Sequence, residues 1–240
     1  MRTKLNASRS LAKHHQARLP QPGSVIASSH TSPIDSLYLA AIFDPIFTAS
    51  YSSTRLVHRI SLLQSILRAF RYPQHNPPSS ANLVDIQTIL RQNPDRIVAV
   101  FPECTTTNGR GILPFSSSLL TAPATAKIFP ISLRYTPQDI TTPVPGTYFT
   151  FLWNLLSKPT HCIRVRIAES VYNSTQSDDT ASSSDTLRGS EDSDERRPDE
   201  QKLLQNVAEA LARLGKVKRV GLDGKDKAGF IKAWSKQRAR

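Results

Sequence analysis

Cysteine is scarce in this 240-residue chain. Cys104 and Cys162 are the only two, too few for a disulfide framework and at no metal-ligand spacing. Reduced thiols in a reducing compartment are the expectation. Long apolar runs are missing as well. A membrane-spanning helix needs about 20 apolar residues, and the best candidates, 37–47 and 148–156, are shorter and broken by Asp44 and Asn154. No signal-peptide hydrophobic region is present. Acidic residues are absent from the first twenty positions, which hold five basic side chains and some serine. That composition fits a transit peptide or a frayed basic terminus.

What is present is positive charge, unevenly distributed. The formal net charge is +12, yet residues 174–200 carry nine acidic side chains against three basic ones, leaving 28 basic and 10 acidic residues elsewhere, a net +18. Such a field attracts polyanions: nucleic acid, anionic lipid head groups or a phosphorylated substrate. Zinc spacing, an RNA-recognition signature and a basic heptad region are all lacking, so nucleic acid is not an expected partner. The acidic stretch is rich in Ser, Asp, Glu and Thr and nearly devoid of apolar residues. It reads as a disordered linker over 173–200, dividing a basic segment (1–23) and a main domain (24–172) from basic C-terminal helices (201–240).

Within the main domain, 24–29 is a short apolar strand that delivers the chain to His30. Ser32, Pro33 and Asp35 then suit the N-cap, N1 and N3 positions of a helix with a capping box, running to about residue 43. An extended piece over 46–51 follows. Leu56, Ile60, Leu63, Ile66 and Leu67 fall at helical spacing and predict a helix over 54–70. Leu83, Ile86 and Leu90 predict another over 82–91, ended by Asn93-Pro94. Residues 96–101 form a continuous apolar run that suits a strand buried on both faces, and 126–135 and 162–168 are further strands. Alternation of strands and helices implies an α/β fold, a mostly parallel central sheet flanked by helices. Helices at 199–214 and 226–237 close the chain. The last sets Phe230, Ile231 and Trp234 among Lys227, Lys232, Lys236 and Arg238, which suits either a membrane interface or docking on the domain.

Two clusters carry chemistry. His30 and Asp35 form an H-x4-D pair at a strand end, where sites gather in α/β sheets. A carboxylate at N3 can reach back to a His ring, fix its tautomer and leave the other nitrogen free to accept a proton. The plainer readings are a strand-end histidine and a capping carboxylate. The second cluster is the string FPECTTTNGRG from Phe101, followed by an expected helix from Pro114. Its hydroxyls, glycines and guanidinium are the parts of a phosphate cradle, or of an ordinary strand–helix turn. Cys104 beside a histidine invites a thiol-nucleophile reading, but nothing obvious lowers its pKa.

His30-Thr-Ser-Pro-Ile-Asp35 resembles the first motif, and Phe101-Pro102-Glu103-Cys104-Thr105 the third motif (F-P-E-G-T), of the glycerol-3-phosphate and lysophosphatidic acid acyltransferase family. Phe129-Pro130-Ile131 resembles its Pro-centred fourth motif. The wider strings SSHTSPID and FPECTTTNGRGILPF are most similar to fungal members of the endoplasmic reticulum and lipid droplet. The resemblance spans about 24–170 and implies a glycerolipid acyltransferase-like layer fold. His30 would be the catalytic general base and Asp35 its orienting partner. Glu103, Cys104 and Thr105 match the motif tied to binding the acceptor's phosphate, and Arg110 is added on charge and position. The implied reaction moves an acyl group from acyl-CoA to a lysophospholipid, most simply lysophosphatidic acid, with no cofactor or metal, on the cytosolic face of a membrane surface. A catalytically silent membrane or lipid-droplet binding protein is the alternative. The sequence departs from the family in having Cys104 for Gly and Thr106 for Arg, and offers only Arg55 and Arg59 as candidates for a second motif. Relatives carry an apolar anchor where 1–23 stands, so this segment is expected to be a truncated anchor.

Overall fold

A computed structural model of the chain describes residues 18–137, 143–173 and 197–238. Most of the basic segment 1–23 and of the acidic linker 173–200 therefore lies outside the described residues. Around β1 (Val25–Ser28) an eight-stranded sheet runs in the order β4–β3–β2–β5–β1–β7–β8, with β9 paired to β7. Its four central strands, β2 (Ile46–Ala49), β5 (Val98–Val100), β1 and β7 (Lys127–Thr136), are mutually parallel. The outer strands β3 (Val57–Ile60), β4 (Leu83–Val84), β8 (Cys162–Ile167) and β9 (Val171–Tyr172) are antiparallel additions. This is the α/β class expected from the alternation of elements.

The apolar runs behave as strands buried on both faces. Val25, Ala27, Val98 and Val100 point into one core with Ile86, Leu119, Leu203, Val207 and Leu211. Ile26 and Ala99 point into the other with Leu39, Ile131 and Leu133. Strand period two sends neighbours to opposite sides, and each fully buried Val, Ile or Leu contributes about 1.5–3 kcal/mol. The first core is roofed by α3 (Ile86–Gln92) and α5 (Pro198–Gly215), the second by α1 (Pro33–Phe43). Arg55 donates two hydrogen bonds, of 2.7 and 3.1 Å, to the buried Glu200 in the first turn of α5.

The helix expected over 54–70 divides. Residues 57–60 pair antiparallel with β2, setting Phe47 against Ile60 and Ala49 against His58. Ser61 then opens a shorter helix, α2 (Leu62–Arg68), with a reciprocal Ser61–Gln64 capping box. Leu63 and Leu67 face outward on α2, so their helical spacing did not report a core face. Residues 82–91 likewise split into β4 and α3. The helix expected from Pro114 is a 3-10 turn, Ser117–Thr121. The apolar stretch over 148–156 is helix α4 (Tyr148–Leu156). Among the described residues no helix is long and apolar enough to cross a membrane.

Candidate active site

β1 and β5 are parallel neighbours, so the segments leaving their carboxyl ends emerge on one edge. His30 lies two residues past β1 and Glu103 three past β5. The two segments are stitched together by main-chain contacts. The His30 carbonyl accepts the Thr107 N–H at 2.8 Å, and the His30 N–H approaches Glu103 Oε1 at 3.4 Å. Glu103 Oε2 accepts the Leu113 N–H at 3.0 Å. The His30 ring stacks on Phe101, centroids 4.3 Å apart. Burial drives the Glu103 carboxyl up to about 8, against the pull of these two N–H donors.

The capping box read from the sequence is present. Ser32 accepts the Ile34 N–H, and Asp35 reaches back to the cap. The Asp35–His30 pairing is corrected. Asp35 Oδ2 accepts the N–H groups of Thr31 at 2.6 Å and Ser32 at 2.9 Å, with the Thr31 hydroxyl at 3.3 Å. Its Oδ1 accepts the Tyr135 hydroxyl from β7. Four nearer donors take the carboxylate, so Asp35 sets the course of the chain around residue 30 rather than holding the ring. Burial raises its carboxyl to about 6, although every donor opposes the shift.

The imidazole itself is enclosed. His30 is 3% exposed, and its Nε2 is buried with no hydrogen-bond partner among the described residues. Burial first, then the fields of Lys227 and Arg68, lowers its pKa from the ordinary 6.5 to about 3. A histidine kept neutral in this way contributes stability above pH 6.5 and loses it as pH falls toward 3. At about 1.36 kcal/mol per pH unit, the protein should lose roughly 3 kcal/mol relative to a His30→Leu variant between pH 6.5 and 4. Urea midpoints measured across that range check this, and superimposable pH profiles would refute it.

Lys227 and Arg68 are the cations that sequence reasoning missed. Lys227 comes from the C-terminal helix α6 (Gly224–Arg238). Its Nζ donates to Thr105 Oγ1 at 2.8 Å, to the Thr106 carbonyl at 2.6 Å and to Thr106 Oγ1 at 2.7 Å. One signal was available: Lys227 stands four residues before Ile231, which is buried, so both occupy one helical face. Arg68 ends α2, binds the Ser50 carbonyl at 2.8 Å and lies over the Tyr51 ring. Arg110, the cation expected at this loop, is exposed.

Cys104 sits in the turn with φ +59°, the left-handed region. Burial pushes its thiol up to about 11, the wrong direction for a nucleophile. Left-handed backbone costs a residue with a Cβ about 1–2 kcal/mol, partly offset by the greater chain entropy of unfolded glycine. Cys104→Gly should therefore raise stability by up to about 1 kcal/mol in chemical denaturation, and a loss would contradict the strain. Gly109 also has positive φ, and a Cβ there would meet the Thr31 methyl at 3.4 Å. Among the described residues no three His, Cys, Asp or Glu side chains gather to hold a metal ion.

A family model described as Acyltransferase matches residues 10–134, which contain both the His30 and the Glu103 segments. The chain belongs to the Acyltransferase family. A Schizosaccharomyces pombe member of known sequence, "Putative lysophosphatidic acid:oleoyl-CoA acyltransferase", is 27% identical over 223 residues, covering 90% of this chain and 64% of the relative. The chain thus spans somewhat less than two thirds of that relative's length. No solved structure matches it significantly. In this chain, the histidine of the H-x4-D motif and the F-P-E-C-T turn form one connected unit, while Lys227 lies beyond the family-matched span.

Proposed function

We propose that this acyltransferase moves a fatty acyl group from acyl-CoA to the free hydroxyl of a lysophospholipid, with 1-acylglycerol-3-phosphate as the acceptor and phosphatidic acid as the product. The observation that carries the reading is the stitching of His30 to the Glu103–Thr107 turn at one sheet edge. It puts a neutral imidazole with an unpartnered Nε2 beside hydroxyls and two cations. A neutral imidazole is the form that accepts a proton.

In the proposed step the acceptor hydroxyl gives its proton to His30 as its oxygen bonds to the thioester carbonyl carbon. The C–S bond then breaks, and the CoA thiolate recovers the proton from the imidazolium. Asp35 holds the Thr31 and Ser32 amides and so fixes where His30 stands. Thr105, Thr106 and the turn around Glu103 and Cys104 receive the acceptor's phosphate.

The membrane side of the proposal rests on one apolar face. Phe70, at the end of α2, packs on Phe151 and Tyr148 of α4. Outward from this cluster Leu63, Phe149, Trp153 and Leu156 are 65–89% exposed. The same segment touches the site, because the Ala69 carbonyl accepts the Thr106 hydroxyl at 3.0 Å. A lipid surface against this face would present acyl chains next to the reacting groups. On this reading the cytosolic face of the endoplasmic reticulum or lipid droplet is the working location.

Enclosure of the His30 ring favours a second reading, a silent membrane-binding protein with an acyltransferase fold. Purified protein given a long-chain acyl-CoA and several lysolipids separates the two. Release of CoA with formation of phosphatidic acid is the expected result. Liposome binding without turnover on any acceptor would establish the silent reading instead.

A further inference from the structure

The strongest unassigned feature is a half-buried cation with no ion pair among the described residues. Lys227 Nζ is half-buried and makes all three of its hydrogen bonds to neutral oxygens of Thr105 and Thr106. No carboxylate forms an ion pair with it among the described residues. Glu103 is the nearest acidic influence, yet both of its oxygens already accept backbone N–H groups. Withdrawing an ammonium from water without an anion is costly, and burial lowers the Lys227 pKa to about 8.

The placement is enforced by the helix itself. Asp223 accepts the Lys225 and Asp226 N–H groups, and Asp226 accepts the Asp223 N–H, the reciprocal arrangement of a capping box. Ile231, one turn on, is buried and seats the same face. Gly224 packs against Pro73, where an added Cβ would approach to 3.2 Å.

We propose that Lys227 binds the phosphate of the acceptor lipid against the Thr105–Thr106 turn, making the C-terminal helix a component of the substrate site. This rests on the acyl-transfer reading above. A phosphate monoester supplies the missing anion and enough oxygens for the ammonium and for the Thr105 hydroxyl, which can rotate from accepting to donating, while the Thr106 hydroxyl keeps its bond to the Ala69 carbonyl. Its arrival also changes the base. Burial first, and then Lys227 and Arg68, disfavour a charged His30; a phosphate held by Lys227 offsets the part due to that cation, so His30 becomes a stronger proton acceptor when the acceptor lipid is in place.

The test uses the whole chain with Lys227→Met, Lys227→Arg and, as a control on the exposed side of α6, Lys236→Met. Kinetics with oleoyl-CoA and 1-oleoylglycerol-3-phosphate are read together with calorimetric titration of glycerol 3-phosphate. Losing one charge-assisted contact should raise the acceptor KM about tenfold to a hundredfold in Lys227→Met, with the acyl-CoA KM within about twofold and most of the loss recovered in Lys227→Arg. Glycerol 3-phosphate binding should vanish in Lys227→Met and persist in Lys236→Met. An unchanged acceptor KM overturns the proposal, and so does an acyl-CoA KM that rises instead, which would assign Lys227 to the phosphates of CoA. Binding of glycerol 3-phosphate through Lys227 without any turnover would uphold this site and sink the enzymatic reading.

Discussion

His30→Leu is expected to lower the rate of acyl transfer on the order of 10²–10⁴-fold, the usual contribution of a positioned general base, while stability at neutral pH changes by no more than about 1 kcal/mol. The two halves of this result come from the same atom. Nε2 is buried and unpartnered, so an apolar side chain of similar volume removes no hydrogen bond and relieves a desolvated nitrogen. Under the proposed mechanism, removing the same nitrogen deletes the proton acceptor. Turnover measured with acyl-CoA and lysophosphatidic acid, beside urea denaturation of both proteins, reads each half. Near-normal turnover would remove His30 from the mechanism. Joint loss of activity and several kcal/mol of stability would make it a packing residue.

The second large effect is on folding. Asp35 gathers four buried donors from Thr31, Ser32 and Tyr135, tying the turn after β1 to helix α1 and to strand β7. Asp35→Ala leaves all of them without an acceptor at a cost of roughly 1–3 kcal/mol for each unsatisfied buried group. Partial relaxation should bring the net loss to about 4 kcal/mol, much of the 5–15 kcal/mol that stabilises an ordinary domain. Asp35→Asn keeps one acceptor oxygen and should lose less. Denaturant midpoints for the three proteins at pH 7 test the ranking. A loss under about 1 kcal/mol for the alanine variant would mean that water replaces the carboxylate.

These expectations show where the sequence was legible. The order Ser32, Pro33, Asp35 announces a helix start through local chemistry, and the fold keeps it. The continuous apolar run at 96–101 marks a strand buried on both faces, and Val98–Val100 is one. Residues 57–60 were opaque because their partner is β2, with paired residues nine to thirteen positions apart, and no spacing within the segment reports a cross-strand pair. The same limit governs the site. His30 and Glu103 were legible because each follows an apolar strand in a recognisable string. The true partners of Asp35 were less so, since Tyr135 lies 100 residues away. Lys227 was legible only as a charge on an amphipathic helix, 122 residues from the threonine it touches. Arg110, near in sequence to the turn, is exposed, whereas the cation that donates to the turn's threonines arrives from a distant helix, which proximity along the chain does not report.

Gly224 begins the last helix, and that placement has a practical corollary for anyone handling the protein. A ribosome releases the sheet, the histidine and the threonine turn before Lys227, so a chain cut short ahead of residue 224 would keep His30 and the Thr105–Thr106 turn and lose the ammonium that donates to it.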